Sequence, residues 1–223
     1  MTPTEAVTSR RSVRQFIDKP VEREKLERVL AKAQYAASGG NTQPWSAIIV
    51  TGDRLADITA KVKAKAKTAP AGEGGEYAIY PAELDGRYEV QRRAIGKAMF
   101  DSVGLARENK AGRIAQMFKN WDGFGAPVQL FTYCPRYMGP PQWSDMGMWL
   151  QTVMILLREE GLDSCAQEIW AMYGTYMRAL LNIDDDHIFF CGMAIGYRDE
   201  DDPINNFERP RQPIDDVVQW DGW

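Results

Sequence analysis

The sequence contains one histidine and only three cysteines among its 223 residues. Cys134, Cys165 and Cys191 form no Cys-x-x-Cys pair, which argues against a disulfide framework or a structural zinc site. His187 follows three aspartates, a context typical of a loop or of the start of a strand. The sequence therefore predicts no metal site, and it indicates that any reactive group is something other than a histidine.

Long apolar runs and a targeting segment are also missing. Residues 1–5 lack a basic start followed by an apolar stretch. The most apolar segment, residues 146–157, is interrupted by Gln151 and Thr152 and is too short to span a bilayer. These features predict a chain with no membrane contact in a reducing, cytoplasmic setting.

The chain has slightly fewer basic than acidic side chains, and the two kinds are unevenly distributed along it. The chain has 27 basic and 31 acidic side chains, a formal net charge of −4. Residues 184–223 hold three of the basic and eleven of the acidic ones. No basic field extends over the whole chain, so we expect no nucleic-acid partner.

Length and apolar content fit a single globular domain over residues 1–223, with the proline-rich residues 199–223 as a C-terminal extended arm. Helical and strand patterns alternate along the chain. The predicted strands are 45–51, 126–134, 163–165 and 187–197. The predicted helices are 3–9, 22–37, 54–68, 89–108, 110–120, 142–160 and 173–181, and residues 69–88 are predicted to form a long loop.

Three segments carry side chains suited to a phosphate-bearing heterocycle. Residues 9–14 place Arg10, Arg11 and Arg14 beside two serines, including Ser12, with no acid between them. Arg209 and Arg211 lie between prolines in the acidic C-terminal region. Residues 38–45 combine two glycines with Ser38, Asn41 and Gln43, which offer donors and acceptors to a ring edge. Taken singly, the three segments fit equally ordinary structures: a solvated basic turn, a surface tail, and a helix C-terminus followed by a turn.

In combination and in order, these segments resemble the flavin-dependent nitroreductase family. The resemblance is carried by RRSVRQF at 10–16, SGGNTQPW at 38–45, GLDSC at 161–165, GMAIGY at 192–197 and RQPI at 211–214. The middle of the chain resembles the nitrobenzene and nitrobenzoate reductase branch, through the pairs at 80–81, 92–93, 138–139 and 142–143 and the GAP at 125–127.

The resemblance implies an α+β fold, with a nitroreductase-like sheet flanked by helices, in an intertwined homodimer that binds FMN at each of two subunit interfaces. Helix 142–160, which is apolar nearly all round, would be a central dimer helix.

The resemblance also implies roles for individual residues. Arg10, Ser12 and Arg211 would hold the FMN phosphate, with Arg209 nearby. Arg11 and Arg14 would lie along the ribityl chain and the pyrimidine edge. Ser38, Asn41 and Gln43 would come from the other subunit. Ala166, Gln167 and Glu168 would face the ring near N5, although this sequence departs there from a common pattern of a Pro or a Glu-Gly pair. No side chain is assigned a catalytic role, because the chemistry occurs at N5 of the flavin.

The implied function is an FMN-dependent oxidoreductase that moves electrons from NADH or NADPH, as co-substrate, to a nitroaromatic or quinone substrate by a ping-pong mechanism, with the nitro group reduced to nitroso or hydroxylamine. Three alternatives stay open: a reductive dehalogenase, a quinone reductase on the same fold, and a flavin-binding protein without turnover. Candidates for stacking on a substrate are Trp121, Phe124, Tyr80 and Tyr88, although most aromatic residues in a chain of this size belong to the core.

Overall fold

One antiparallel sheet forms the centre of the computed structural model, which describes all 223 residues. Its strands are β1 (Ser46–Thr51), β2 (Val128–Pro135), β3 (Asp163–Gln167) and β4 (His187–Gly196). The strand order is β1-β2-β4-β3, and each neighbouring pair is antiparallel. The two central strands are almost entirely buried, because helices cover both faces of the sheet.

Seven helices surround this sheet. They are α1 (Pro3–Ser9), α2 (Arg23–Ala33), α3 (Gly52–Thr68), α4 (Gly86–Ser102), α5 (Lys110–Phe118), α6 (Pro140–Glu159) and α7 (Gly174–Leu181). Short 3₁₀ segments lie at Gly39–Asn41, Lys119–Gly125, Glu168–Tyr173, Pro203–Asn205 and Ile214–Asp216. None of the helices has both the length and the apolar character that crossing a membrane requires.

The pleat of the sheet divides the core into two halves, because successive side chains of a strand point to opposite faces. Leu130 of β2 packs among residues of α2 and α6. Its neighbour Phe131 packs among residues of α3 and α7 on the other face. The predicted sheet flanked by helices is confirmed.

The predicted strands all agree with the structure to within two residues at each end. Two helices were predicted too long by four or more residues, and the loop predicted over 69–88 ends at Asp85, because α4 begins at Gly86. Helix α2 ends at Ala33 instead of residue 37, because the next amides bond to carbonyls three residues back and tighten the chain into a turn. Helix α4 ends at Ser102 instead of residue 108, because Gly104 is left-handed and Leu105 N–H bonds to Phe100 O, which is a Schellman ending.

Helix α1 has the start that the sequence predicts. The Thr2 side chain accepts from Glu5 N–H at 3.2 Å, and the Glu5 carboxylate accepts from Thr2 N–H at 2.7 Å. This capping box fixes the short helix whose last residue, Ser9, directly precedes Arg10.

Candidate functional site

The two ends of the chain meet around a cavity of about 120 Å³ that is rich in arginine. All five arginines of residues 9–14 and 209–213 line it, together with Ser12. Its complete lining is Arg10, Arg11, Ser12, Arg14, Ile95, Ile204, Asn205, Phe207, Arg209 and Arg211. Residues that are about 200 positions apart in sequence therefore surround one space.

None of these five guanidinium groups is paired with a carboxylate. The hydrogen bonds of Arg11, Arg14, Arg209 and Arg211 go to backbone carbonyls. The Nε atom of Arg10 is buried and has no partner. A cluster of cations with free donors is complementary to a phosphate group.

Burial first, and then the charges of neighbouring arginines, lower the pKa values of Arg10, Arg11 and Arg209. Burial, followed by the charges of Arg11 and Arg211, lowers the pKa of Arg209 to about 10. Burial and the charge of Arg211 lower the pKa of Arg10. A bound anion would remove this repulsion.

The N-terminal half of the cluster is held by its attachment to the sheet. Val13 N–H donates to Ser164 O at 3.1 Å, and Ser12 forms an isolated parallel bridge with Ser164 of β3. Val13 and Phe16 are buried in a small apolar cluster with Phe124 and Cys165. Because this extended segment buries Val13, the arginines on either side of it reach the cavity.

The C-terminal half is held by Asn205, which is 1% exposed. Its side-chain oxygen accepts from Arg14 N–H at 2.8 Å, and its side-chain nitrogen donates to Gln15 O and Asp199 O, both at 2.8 Å. Its backbone carbonyl accepts from the guanidinium of Arg11. Asn205 thus joins the two ends of the chain, and nothing in its local sequence marked it for this role.

A second cavity, of about 460 Å³, adjoins the first. The two share Arg14, Ile95 and Phe207. The second cavity is lined by four consecutive residues at the end of β3 and just beyond it: Cys165, Ala166, Gln167 and Glu168. Most of the remaining wall is apolar, which is the usual character of a site for a small organic molecule.

Gln167 fixes the end of β3 in this wall. Its side-chain oxygen accepts from Gln129 Nε2 at 3.1 Å and from Trp170 Nε1 at 3.3 Å, while its nitrogen donates to Asn120 O at 2.7 Å. Gly123 lies against this network, where an added Cβ would be 2.0 Å from Gln129 Nε2. The backbone of residues 166–168 is therefore presented to the cavity in one conformation.

Two ionisable side chains in the same wall are shifted toward their neutral forms. Burial raises the pKa of the Glu168 carboxyl. Burial also raises the pKa of the Cys165 thiol, because its effect is larger than the opposite effect of the nearby Arg14 and Arg10 charges. The thiol is therefore a packing group and no nucleophile.

The chain is similar to known proteins over most of its length. The model of the family described as "Nitroreductase family" matches residues 7–197. The chain belongs to the nitroreductase family. It is 32% identical over 206 residues, 92% of this chain and 89% of the relative, to a 4-nitrobenzoate reductase of Pseudomonas putida. It is 29% identical over 212 residues, 95% of this chain and 93% of the relative, to a nitrobenzene nitroreductase of Ectopseudomonas oleovorans.

A solved structure of a nitroreductase agrees with the fold over the whole chain. The FMN- and NADPH-dependent nitroreductase NfnB of Sphigopyxis sp. strain HMH superimposes with a TM-score of 0.98 and 51% identity, and the match covers 100% of both chains. The family and the α+β fold predicted from the sequence are confirmed.

The third segment of the nitroreductase pattern lies apart from both cavities. Ser38, Asn41 and Gln43 line neither of them, and Asn41 and Gln43 are exposed. Asn41 and Gln43 have left-handed backbones, with φ of 57° and 47°. The turn is held by Asp145 of α6, whose carboxylate accepts from Gly39 N–H at 3.2 Å, and by Ser38 Oγ, which accepts from Gln43 N–H at 3.1 Å. A strained turn held this firmly is typical of a binding segment, yet it lines neither of the two cavities of its own chain.

The predicted loop covers the second cavity on one side. Tyr77 anchors it, since its hydroxyl donates to Phe190 O and its ring contacts those of Trp143 and Phe190. Glu76 accepts from Arg136 at 2.6 Å and pairs with Arg178 at 3.3 Å. Beyond this anchor, the loop brings Tyr80 to the cavity wall.

The aromatic candidates divide between cavity and core. Phe124 and Tyr80 line the second cavity, and Tyr88 lines a third one that shares Tyr80, Arg92 and Ile95 with it. Trp121 is buried in the core beside Trp170 and Tyr173. Sequence reasoning missed Asn205 and Phe207, whose position depends on the path of the arm. His187 lies at the first residue of β4 beside Asp186, as predicted.

Proposed function

We propose that this chain is an FMN-dependent oxidoreductase that transfers electrons from NADPH or NADH to nitroaromatic compounds, with the nitro group reduced to nitroso or hydroxylamine. The observation that carries the proposal is the set of five guanidinium groups without carboxylate partners, contributed by both chain ends to a cavity that opens into a larger apolar one. Membership of the nitroreductase family and the similarity to nitrobenzene and 4-nitrobenzoate reductases support it.

The residues present fit FMN. Arg10, with its unpartnered buried Nε, would hold the phosphate with Ser12 and Arg211. Arg209 stabilises this group from the side, since it donates to the carbonyls of Arg10 and Thr8.

The remaining contacts follow the junction of the two cavities. Arg11 and Arg14 would lie along the ribityl chain and the pyrimidine edge, where a guanidinium stabilises negative charge. The backbone of Ala166, Gln167 and Glu168 would face the ring. Bound FMN supplies the hydride and electron transfer that no side chain here provides. The protein's own task is to bind, to orient and to exclude water.

We further propose that the functional unit is an intertwined homodimer built from one domain, residues 1–223, with 199–223 as its arm. Ser38, Asn41 and Gln43 would then complete the site of the other subunit. Two observations support this arrangement. The turn at 38–43 is firmly held yet lines neither of the two cavities described above, and the arm exposes a series of large apolar side chains: Ile214, Val217, Trp220 and Trp223.

The finer points of setting and substrate are also proposals. All three cysteines are unpaired and buried, which supports a reducing, cytoplasmic setting. A quinone would fit the same flat apolar cavity as a nitroaromatic ring. A reductive dehalogenase has less support, because residues 69–92 contain Glu83 and Tyr88 but no lysine to complete a lid for an amino-acid zwitterion.

The test is a redox titration of the purified protein. We expect a yellow protein whose visible flavin band is lost when NADPH or NADH is added without oxygen, and returns when nitrobenzene or 4-nitrobenzoate is added. A colourless protein, or a yellow one that the reduced nicotinamides leave unchanged, would contradict the proposal. A protein that is bleached but is reoxidised by quinones alone would restrict the substrate to that class.

A further inference from the structure

Arg92 of α4 is a cation in the wall of the second cavity, and the flavin assignment does not use it. Its guanidinium carbon lies 4.4 Å from the ring centroid of Tyr80, and no carboxylate is within ion-pair distance. The next residue, Arg93, faces elsewhere, because it pairs with Glu89 at 2.5 Å and lines none of these cavities. Two adjacent arginines on one helix therefore have different surroundings.

The other charged groups of the cavity leave Arg92 available. They are Arg14, which donates to Ser12 O at 3.0 Å and is shared with the phosphate cavity, and Glu168, whose carboxylate is not within ion-pair distance of Arg92. Around these groups the wall is made mainly of apolar side chains: Ile79, Ile95, Met99, Met117, Phe124, Ile169, Met172 and Phe207.

Tyr80 prepares the guanidinium for one kind of ligand. An arginine that stacks on a ring keeps the N–H groups of its planar edge free, and that edge matches the two oxygens of a carboxylate.

We propose that Arg92 is a specificity-determining residue, and that it binds the carboxylate of a nitroaromatic acid while the apolar wall contacts the ring. This inference rests on the proposed function and names the substrate class of the same site. The competing source of an anion is the 2′-phosphate of NADPH, which the same enzyme would bind in alternation with its substrate.

The experiment compares Arg92→Ala and Arg92→Lys with the neighbouring control Arg93→Ala. Activity is measured with 4-nitrobenzoate and with nitrobenzene, at saturating NADPH and then at saturating NADH. We expect Arg92→Ala to raise the KM for 4-nitrobenzoate roughly 10- to 100-fold, the size expected when charge-assisted hydrogen bonds are lost. The KM for nitrobenzene and the FMN content should stay unchanged, Arg92→Lys should recover part of the loss, and Arg93→Ala should match the parent protein.

A binding measurement separates this inference from the proposed function. Calorimetric titration with benzoate needs no turnover, and Arg92→Ala should weaken benzoate binding by the same factor. Equal loss with both nitro substrates, unchanged benzoate binding, or a raised KM for NADPH without one for NADH would each overturn the assignment. A parent protein that binds benzoate through Arg92 but reduces no nitro compound would contradict the proposed function alone.

Discussion

Arg209 and Arg211 are two residues apart and line the same cavity, yet their contacts differ. Arg209 donates to Thr8 O and Arg10 O, the carbonyls at the end of α1, where a cation is favourable. Arg211 donates only to the carbonyls of Arg209 and Pro210 beside it. Arg209 is therefore used to attach the arm, whereas Arg211 remains free for a ligand.

The first prediction at the residue scale concerns phosphate binding. Arg211→Ala and Arg10→Ala should each weaken FMN binding roughly 10- to 100-fold, because each removes a charged donor from the phosphate. The ratio of flavin to protein absorbance after gel filtration measures the effect, and the melting temperature with excess FMN shows whether the fold is retained.

A matched control is Arg23→Ala, since Arg23 is exposed and pairs only with Glu27 at 2.7 Å. It should keep the parent FMN content. If both cavity variants also retain one FMN per chain, the phosphate lies elsewhere.

At the scale of the element, the arm at 199–223 is positioned by one turn. The segment Pro203–Asn205 places Asn205 between the N-terminal strand-like segment and the end of the sheet. Phe207, Arg209 and Arg211 reach the two cavities only because this turn sets the direction of the arm. The turn is short, and the buried side-chain amide of Asn205 makes three hydrogen bonds that hold it. We therefore expect this side chain to contribute much of the free energy that stabilises the turn.

Asn205→Ala should therefore lower the free energy of unfolding by about 3 kcal/mol, because it leaves the buried Arg14 N–H and Asp199 O without their partner, while Gln15 O keeps only its bond from Asp199 N–H. Urea denaturation measures the loss, and FMN content should fall with it. The control is Asn206→Ala, because Asn206 is exposed and its hydrogen bonds to Glu200 O and Asp202 O are accessible to water. A loss of the same size in both variants would show that Asn205 has no special role.

At the scale of the whole molecule, the site depends on distant parts of the chain and, in our proposal, on two chains. The Arg-rich cavity takes residues from both ends, and the turn at 38–43 lines no part of it. If that turn serves the other subunit, a chain with a defective Arg-rich cavity and a chain with a defective turn should together form one intact site.

The test uses co-expression of an Arg10→Ala chain with a chain carrying Asn41→Gly and Gln43→Gly, each with its own tag. Glycine removes both amides and tolerates the left-handed backbone at these positions. Each variant alone should lose FMN, but the purified heterodimer should bind one FMN, because one of its two sites contains only intact residues. A heterodimer without FMN would show that the turn acts on the site of its own chain.

Local sequence was sufficient for most of the secondary structure. The capping box at Thr2 and Glu5 and the four strands depend on neighbours in sequence and agree with the structure. The end of α4 is also a local matter: Gly104 marked it, and the helical pattern that continues past it was misleading. The family was predictable too, because its motifs are short and occur in a fixed order.

The sequence by itself determined which residues carry the chemistry of the site, since five arginines gathered in two short segments are suited to an anion in any fold. Only the tertiary structure decided how they are used. It bonded Arg209 to α1, left Arg211 free, buried Trp121 in the core, and separated Arg92 from Arg93. Asn205 belongs to the same class, because its role depends on one segment, Arg14 and Gln15, that lies about 190 residues away along the chain. The physical reason is that charge and hydrogen-bonding capacity are properties of the residue, whereas burial and the identity of a partner arise only when distant segments pack together.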